Sequence, residues 1–463
     1  MEKIKKIKKI KKLILLFSLY LGFLATYPIA VFANQDHLED IVGTAIILVE
    51  RNTGRVLFGR NEDTPIYPAS MIKVLTAIVM LDYIQLNDIV RVTGEIYHTP
   101  FGSSLAGHFY GENISGLNLL RGLILPSGND TANVVVANVA RRHTGTTMPF
   151  PQAEQVFAEL MNEKARQIGA TNSNFTNAHG FHDPEMKSTA RDLALIADYA
   201  LNIPIIRQVA TERHFSGPSM ENPAPNQPIR EISWSNTNRL LVGQYYHPYA
   251  TGLKTGFHTP AGWCFIGTAT RGDMEVITVI AGSYASQRWF DTAALFDYAF
   301  ENYEMRLVHS GREVVYEIDI YNPRWGDETT AQAIGTNSFS YFLSITELNS
   351  IQKDIVFLTD LAYENEEGLA FIAPLYAGDI IGSVVFTLNG TELFRDNIIL
   401  TRDIYPWSYA SSIQFVFDYL LENPFSVFGL SFVLALIFLF IVIYKIVAVI
   451  LRFRARRASN WYS

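Results

Sequence analysis

The sequence predicts an α+β protein: a mixed helix-and-strand domain, a small all-β unit behind it and one membrane-spanning helix at the end. Three observations carry this. Between residues 40 and 305, strand-like apolar runs flank a cluster of helix-period segments. From 307 to 404, short alternating apolar stretches recur between turns. From Val427 to Leu451 the chain is almost wholly apolar.

The chain has 463 residues, enough for two or three domains. With 49% hydrophobic and 18% charged residues it can build a real core, which argues against wholesale disorder. Residues 1–33 hold seven Lys and one Glu, so the remainder has 30 basic and 44 acidic residues, a net charge of −14. A body that acidic argues against nucleic acid as a partner. One cysteine, Cys264, makes neither an internal disulfide nor a multi-cysteine metal site. It reads as a small buried apolar residue.

At the N-terminus, seven lysines precede the apolar run beginning Leu13-Ile14-Leu15-Leu16, and Val31-Phe32-Ala33 closes it with small residues around a cleavage position. Residues 1–33 therefore read as a secretory signal peptide, with an uncleaved anchor as the alternative. Thr44 to Val49 and Arg55 to Phe58, joined by the turn Asn52-Thr53-Gly54, read as a hairpin at the edge of a sheet. Ser70 to Tyr83 reads as a helix with Ile72, Leu75, Thr76 and Val79 on one face. Further helices are expected over Leu117–Leu125, Ala132–Arg142 and Phe157–Ile168, and from Ser188 or Thr189 as cap to Leu201. Gly262–Arg271 and Glu275–Tyr284 read as strands, and Trp289–Tyr303 as a helix. In the β unit the runs are Val314–Ile320, Phe339–Ile345, Asp354–Leu358, Leu369–Ile372, Ile381–Leu388 and Asn397–Leu400.

Residues 405–426 form an aromatic-rich juxtamembrane juncture, readable as an interfacial belt or as local packing. The segment 427–451 is long enough as a helix to cross a ~30 Å hydrocarbon layer. Lys445 lies near its far end, where it can snorkel. Arg452, Arg454, Arg456 and Arg457 follow, and a positive flank marks the cytoplasmic side. Both ends thus place residues 34 to about 424 outside the cell and 452–463 inside. The expected divisions are 34–305, 306–404, 405–426, 427–451 and 452–463.

Three motifs carry chemistry. In Ser70-Met71-Ile72-Lys73, spacing of nearly one turn puts Lys73 on the face of Ser70 at a helix N-terminus. A serine hydroxyl needs a base, and a lysine serves if burial and a second cation lower its pKa. Ser-x-x-Lys alone is weak. Ser350-Ile351-Gln352-Lys353 repeats it inside the β unit without the partner motifs, and reads as a solvated loop. In Ser127-Gly128-Asn129, between two helices, a hydroxyl and an amide can point into one cleft. Alone, Asn129 or Asp130 there is equally a helix cap. In Lys254-Thr255-Gly256, a strand can offer a charge and a hydroxyl to a carboxylate, and glycine admits a ligand backbone.

In this order the three motifs are the set found in penicillin-binding proteins and class A β-lactamases. The chain resembles the low-molecular-mass penicillin-binding proteins of the D-alanyl-D-alanine carboxypeptidase family (peptidase family S11). The resemblance extends to Tyr67-Pro68-Ala69-Ser70, to Leu125 through Ala132 and to Phe175 through Phe181. It continues through Ser188-Thr189-Ala190-Arg191-Asp192 and Thr251-Gly252-Leu253-Lys254. In the β unit, Ala377-Gly378-Asp379-Ile380-Ile381-Gly382 looks like that family's stalk. Two departures stand out. Phe257, not the family's frequent histidine, follows Lys-Thr-Gly, and a full span replaces the family's frequent amphipathic surface helix.

The resemblance implies a β-lactamase/transpeptidase-like catalytic domain and a substrate stem peptide ending in D-Ala-D-Ala, with no metal or organic cofactor. Ser70 would be the acylated nucleophile, open also to β-lactams, with Lys73 as its base and Ser127 passing a proton to the departing D-Ala. Asn129 would fix the penultimate amide. Lys254 and Thr255 would hold the terminal carboxylate, beside Gly256. The N–H groups of Ser70 and Phe257 would receive the oxyanion. A β-lactamase, an endopeptidase or transpeptidase with the same site, and a wall-binding protein with a dead site remain as alternatives. For the first, no Glu-x-x-Leu-Asn segment lies between Ser127 and Lys254, and Glu159, in about the right region, sits in what reads as an ordinary helix. His179-Gly180-Phe181-His182 offers two histidines without a visible third ligand, and reads as a loop.

Overall fold

A computed structural model describes residues 36–220, 229–365 and 368–459. The signal-peptide reading of residues 1–33 and the last four residues of the expected tail lie outside the described residues. The chain divides into two compact units. One runs to Met305 and includes Phe342–Ile345; the other holds Arg306–Tyr341 and Thr346 onward.

The first unit opens with a short helical turn, α1 (Asp36–Glu39), and the hairpin of β1 (Ala45–Glu50) and β2 (Arg55–Arg60). β1 is buried on both faces, with Ile46, Ile47 and Leu48 at 0% exposure. This explains why the run reads as continuously apolar instead of alternating. The next element corrects the expected helix start. Ala69–Ile72 is a 3₁₀ turn, and the α-helix α2 begins only at Lys73, ending at Tyr83. Ala69 has φ +46, outside the range of an α-helix and of a regular 3₁₀ helix alike, so the chain bends sharply there and regular α-helix is delayed to Lys73. Residues three apart eclipse in a 3₁₀ turn, so Ser70 and Lys73 align more closely than α-geometry would bring them.

A helical cluster follows the small ribbon of β3 (Ile89–Arg91) and β4 (Asn113–Ser115). It contains α3 (Gly116–Ile124), α4 (Asn129–Thr144), α5 (Phe150–Ile168), α6 (Ala190–Leu201) and α7 (Pro204–Thr211). Two of these start earlier than periodicity suggests. α4 begins at Asn129, so Asn129 lies in its first turn and not in the preceding loop. Gly128 is the cap residue and makes no side-chain cap bond. α5 begins at Phe150, where Pro151 sets the helical φ. For α6 the cap is Thr189, whose hydroxyl accepts from Asp192 N at 3.0 Å.

After the ribbon of β5 (His214–Pro218) and β6 (Glu231–Ser235) come β7 (Ala250–His258), β8 (Gly262–Arg271), β9 (Met274–Ser283) and α8 (Gln287–Asn302). The sheet order is β2-β1-β9-β8-β7 and every pairing is antiparallel. Side-chain alternation gives it two cores. Ile47, Cys264, Ile266 and Val279 join the helical cluster on one face. Ile46, Leu48, Phe265 and Ile280 pack with Trp289, Leu295 and Phe296 of α8 on the other. Each such side chain contributes about 1.5–3 kcal/mol by leaving water. The strand carrying Lys254-Thr255-Gly256 is therefore an edge strand, with one side open.

The second unit is built on a seven-stranded sheet. In chain order its strands are β10 (Val314–Tyr321), β11 (Thr330–Gly335), β12 (Gln352–Phe357), β13 (Ala362–Asn365), β14 (Gly368–Ile372), β15 (Ile380–Leu388) and β16 (Thr391–Leu400). They lie side by side as β12-β15-β16-β11-β10-β14-β13. Phe339–Leu343 is a further strand. β11 escapes the sequence reading because its inward residues are small: Ala331 and Ala333 are buried yet carry little β-signal. The repeated Ser-x-x-Lys is split between two environments. Ser350 Oγ donates back to Thr346 O, whereas Lys353 lies in β12 and reaches Val315 O, which corrects the expected loop.

The juncture is not a plain linker. Ser408 caps a helix, α9 (Tyr409–Glu422), and Phe415 of that helix packs against Trp325 with ring centroids 5.7 Å apart. Then α10 (Pro424–Ser459) begins. Within it, Ser431–Ile450 has mean hydropathy 3.0 and none of it is buried.

Candidate active site

A cleft of about 1030 Å³ opens along the free side of β7, lined by Ser70, Ser127, Asn129, Thr237, Thr255 and Phe257 among others. Lys73 and Lys254 do not line it: both are essentially buried, Lys73 behind Ser70 and Asn129, to which it bonds, and Lys254 beside Thr255 in β7. Each of the three motifs thus sends residues to one cavity: Ser70 from the first, Ser127 and Asn129 from the second, Thr255 and Gly256 from the third.

The reacting corner is built on the 3₁₀ turn. Lys73 Nζ lies 2.8 Å from Ser70 Oγ and donates to Asn129 Oδ1 at 2.6 Å and to the His179 carbonyl at 2.8 Å. Ser70 Oγ is also 3.2 Å from that carbonyl. Burial, then the nearby Lys254 charge, hold the Lys73 amine well below the ordinary lysine pKa, with Asp130 opposing. Kept from charging, the amine has two N–H groups for Asn129 Oδ1 and the His179 carbonyl and a lone pair for the Ser70 hydroxyl 2.8 Å away, so it can take that hydroxyl's proton.

Ser127 is almost buried and has φ +62, a left-handed conformation that costs a non-glycine residue about 1–2 kcal/mol. The turn aims it into the cleft just before α4 begins. Asn129 is fixed from both sides, since its Nδ2 donates to Ser103 Oγ at 2.8 Å while its Oδ1 accepts from Lys73.

On β7, Thr255 Oγ1 and Thr237 Oγ1 share a 2.8 Å hydrogen bond. Lys254 Nζ donates to Thr255 O at 3.1 Å, and burial followed by the Arg288 charge lowers its pKa to about 7. An added Cβ at Gly256 would lie 3.2 Å from Pro68 O and from Met71 Cγ, so glycine lets the edge strand close on the 3₁₀ turn. The phenyl ring of Phe257 is half exposed and stacks on Trp263 at 4.0 Å.

Several residues that sequence reasoning missed complete the site. His179 contributes its carbonyl, not its ring. Burial and then Lys73 push the imidazole down to about 3, so it is neutral, and its Nδ1 accepts from Phe181 N. His182 instead sits against Tyr67 and His258, with ring centroids 4.8 and 5.2 Å away. Asp130 gathers the N–H groups of Ala106, Gly107 and His108, which fixes the loop bearing Ser103 and Ser104. The motif supplied Asp130 only as a possible cap. The loop it holds has no sequence signature. Glu159 is exposed on α5, bonded by Gln155, and does not line the cleft.

A family model described as D-alanyl-D-alanine carboxypeptidase matches residues 31–285. The D-alanyl-D-alanine carboxypeptidase DacF of Bacillus subtilis is 25% identical over 84% of this chain and 94% of its own. A D-alanyl-D-alanine carboxypeptidase of Mycobacterium tuberculosis is 32% identical over 55% of this chain and 81% of its own. Among solved structures, penicillin binding protein 5 from Haemophilus influenzae superposes with a TM-score of 0.55 at 25% identity, covering 79% of this chain and 98% of that one. The match extends past the cleft into the second unit, and with it this chain belongs to the D-alanyl-D-alanine carboxypeptidase family, the serine peptidases of family S11.

Proposed function

We propose that the chain removes the terminal D-Ala from peptidoglycan stem peptides ending in D-Ala-D-Ala, through an acyl-enzyme on Ser70, and that β-lactams acylate the same hydroxyl. The observation that carries this is the contact of a buried, pKa-depressed Lys73 amine with Ser70 Oγ inside the cleft that also holds Ser127, Asn129 and Thr255. Lys254 and Thr255 bind the terminal carboxylate, and Asn129 holds the penultimate amide. Lys73 takes the Ser70 proton as Oγ attacks the scissile carbonyl. The oxyanion settles on the N–H groups of Ser70 and Phe257, each donor worth ~3–4 kcal/mol by analogy with serine proteases. Ser127 passes a proton to the leaving D-Ala amine, and water then releases the shortened peptide from Ser70.

We further propose that residues 34–305 form the catalytic domain and 306–404 its stalk, and that the apolar helix anchors both from the outer face of the membrane. The length and apolarity of Ser431–Ile450 support a single span. The full chain in its membrane should release D-Ala from a pentapeptide stem and take a covalent label from a fluorescent penicillin. Ser70→Ala should lose both. Label retained at another residue would overturn the assignment of Ser70.

A further inference from the structure

Arg288, at the start of α8, is 7% exposed and lies in the cleft wall. Its Nη1 donates to the Gly256 carbonyl at 3.3 Å and to the Cys264 carbonyl at 3.2 Å. These two residues are direct partners across β7 and β8. The guanidinium is sandwiched, with its carbon 4.5 Å from the Trp263 ring centre and 4.3 Å from that of Trp289. Trp263 in turn stacks with Phe257. Among the described residues no carboxylate pairs with Arg288 and its Nε has no hydrogen-bond partner. A buried cation without a counter-ion is costly, so its charge acts mainly on the two carbonyls it touches.

The consequence follows from peptide geometry. The Gly256 carbonyl and the Phe257 N–H belong to one planar unit, and in a trans peptide they point in opposite directions. Along an edge strand, backbone groups alternate between the neighbouring strand and the open side. By tying the Gly256 carbonyl toward β8, Arg288 turns the Phe257 N–H to the open side, where Ser70 stands. A cation on the carbonyl also polarises the amide, which makes its N–H a stronger donor.

We propose that Arg288 is a positioning residue for the oxyanion donor at Phe257. It clamps the Gly256–Phe257 peptide with its N–H aimed into the cleft, and it makes no contact with substrate. This rests on the Ser70 acyl-enzyme reading.

The test compares the full-length membrane enzyme with Arg288→Met and Arg288→Lys. Three quantities are read: kcat and KM for D-Ala release, the acylation rate with a fluorescent penicillin, and the rate ratio for an ester substrate against its thiono analogue. Sulfur in place of the scissile carbonyl oxygen is a poor acceptor, so that ratio reports the oxyanion donors and not general integrity. Loss of a whole donor costs about 10²–10³ in kcat. Loosening one should lower kcat about 10–100-fold in Arg288→Met, leave KM within about threefold, and reduce the ester-to-thiono ratio in step. Lys keeps the charge but not the fork, so it should fall between. An unchanged kcat, or a fall in kcat at a constant ratio, overturns the proposal. If the Met variant does not fold, the ratio in the Lys variant decides in the same way. Failure of the underlying reading would look different: label or D-Ala release would persist in Ser70→Ala, whatever Arg288 does.

Discussion

Gly180 and Ala69 meet backbone to backbone. A Cβ built on Gly180 would lie 2.1 Å from the Ala69 carbonyl oxygen and 2.8 Å from Ser70 N. Gly180 also has φ +77, so a side chain there is strained even without the clash. The loop beneath Ser70 is thus pressed against the peptide that donates one of the two proposed oxyanion hydrogen bonds. The adjacent His179 carbonyl reaches Lys73 from the same loop.

Gly180→Ala should therefore act on both stability and chemistry. The clash is with backbone, which cannot rotate away, so the domain should lose about 2 kcal/mol or more. Penicillin acylation should fall at least tenfold, because the Ser70 peptide has to shift. Thermal unfolding and acylation kinetics on one preparation check both. A variant as stable and as fast as the parent would mean the loop yields without moving Ser70.

Lys254 makes opposite predictions for stability and function. Its folded pKa, lowered to about 7, lies below that of an unfolded lysine. The folded form then binds fewer protons than the unfolded chain between about pH 7 and the ordinary lysine range. Its penalty on stability is full below about 7 and fades as pH rises through that window. Lys254→Met should remove the penalty, raising stability at pH 6 by about 1 kcal/mol or more, or about 2–4 °C in Tm for a domain this size. The same change should raise KM steeply, since the carboxylate loses its charged partner. In the parent enzyme KM should climb as pH passes about 7, and proton uptake by Lys73 should slow acylation on the acid side. A flat KM from pH 6 to 9 would contradict this role for Lys254.

These contrasts mark what the sequence carries. Ser70, Lys73, Ser127, Asn129 and Lys254 are legible because their chemistry is tied to residue type and fixed local spacing. The α+β class, the apolar β1 and the terminal apolar helix are legible because burial leaves its period in the chain. The His179 carbonyl is not, since any residue supplies one. Nor is the clamp of Arg288 on Gly256, which joins positions 32 apart through a backbone oxygen. The 3₁₀ turn at Ala69 and the start of α4 at Asn129 were misplaced because positive φ and capping by a bare glycine leave no periodic trace.

Asp130 shows how such a hidden contact can be tested. Its carboxylate accepts from Ala106 N at 2.8 Å, Gly107 N at 2.7 Å and His108 N at 3.0 Å. Three donors converging on one carboxylate require acceptors at every position. Asp130→Asn replaces one oxygen with a donor, at nearly unchanged volume. The cost should be about 1.5–3 kcal/mol, the range for hydrogen bonds to charged groups. The loop through Ser103, which braces Asn129, should loosen. KM should rise several-fold and amide exchange at 106–108 should accelerate, while penicillin still labels Ser70. Unchanged exchange at these three amides would rule out the clamp.

The last prediction concerns the anchor. None of Ser431–Ile450 is buried and it is strongly apolar, a surface that water does not tolerate on a free helix, and its 20 residues reach about 30 Å at helical rise. α9 precedes it, with Ile413, Phe417 and Leu421 exposed as well. If the span is the principal anchor, ending the chain after Glu422 should shift activity from the membrane pellet to the soluble fraction. Removing one helix deletes most of the buried lipid contact at once. If α9 also lies in the interface, the shortened chain should keep a residual affinity for lipid vesicles that Phe417→Asp abolishes, because a charge cannot enter that layer cheaply. Orientation is read separately. A protease added to intact cells should digest residues 36–422 while sparing a fragment that carries Arg452 to Arg457. Recovery of the catalytic unit intact from protease-treated whole cells would place it on the inner side and reverse the topology argued from the arginine flank.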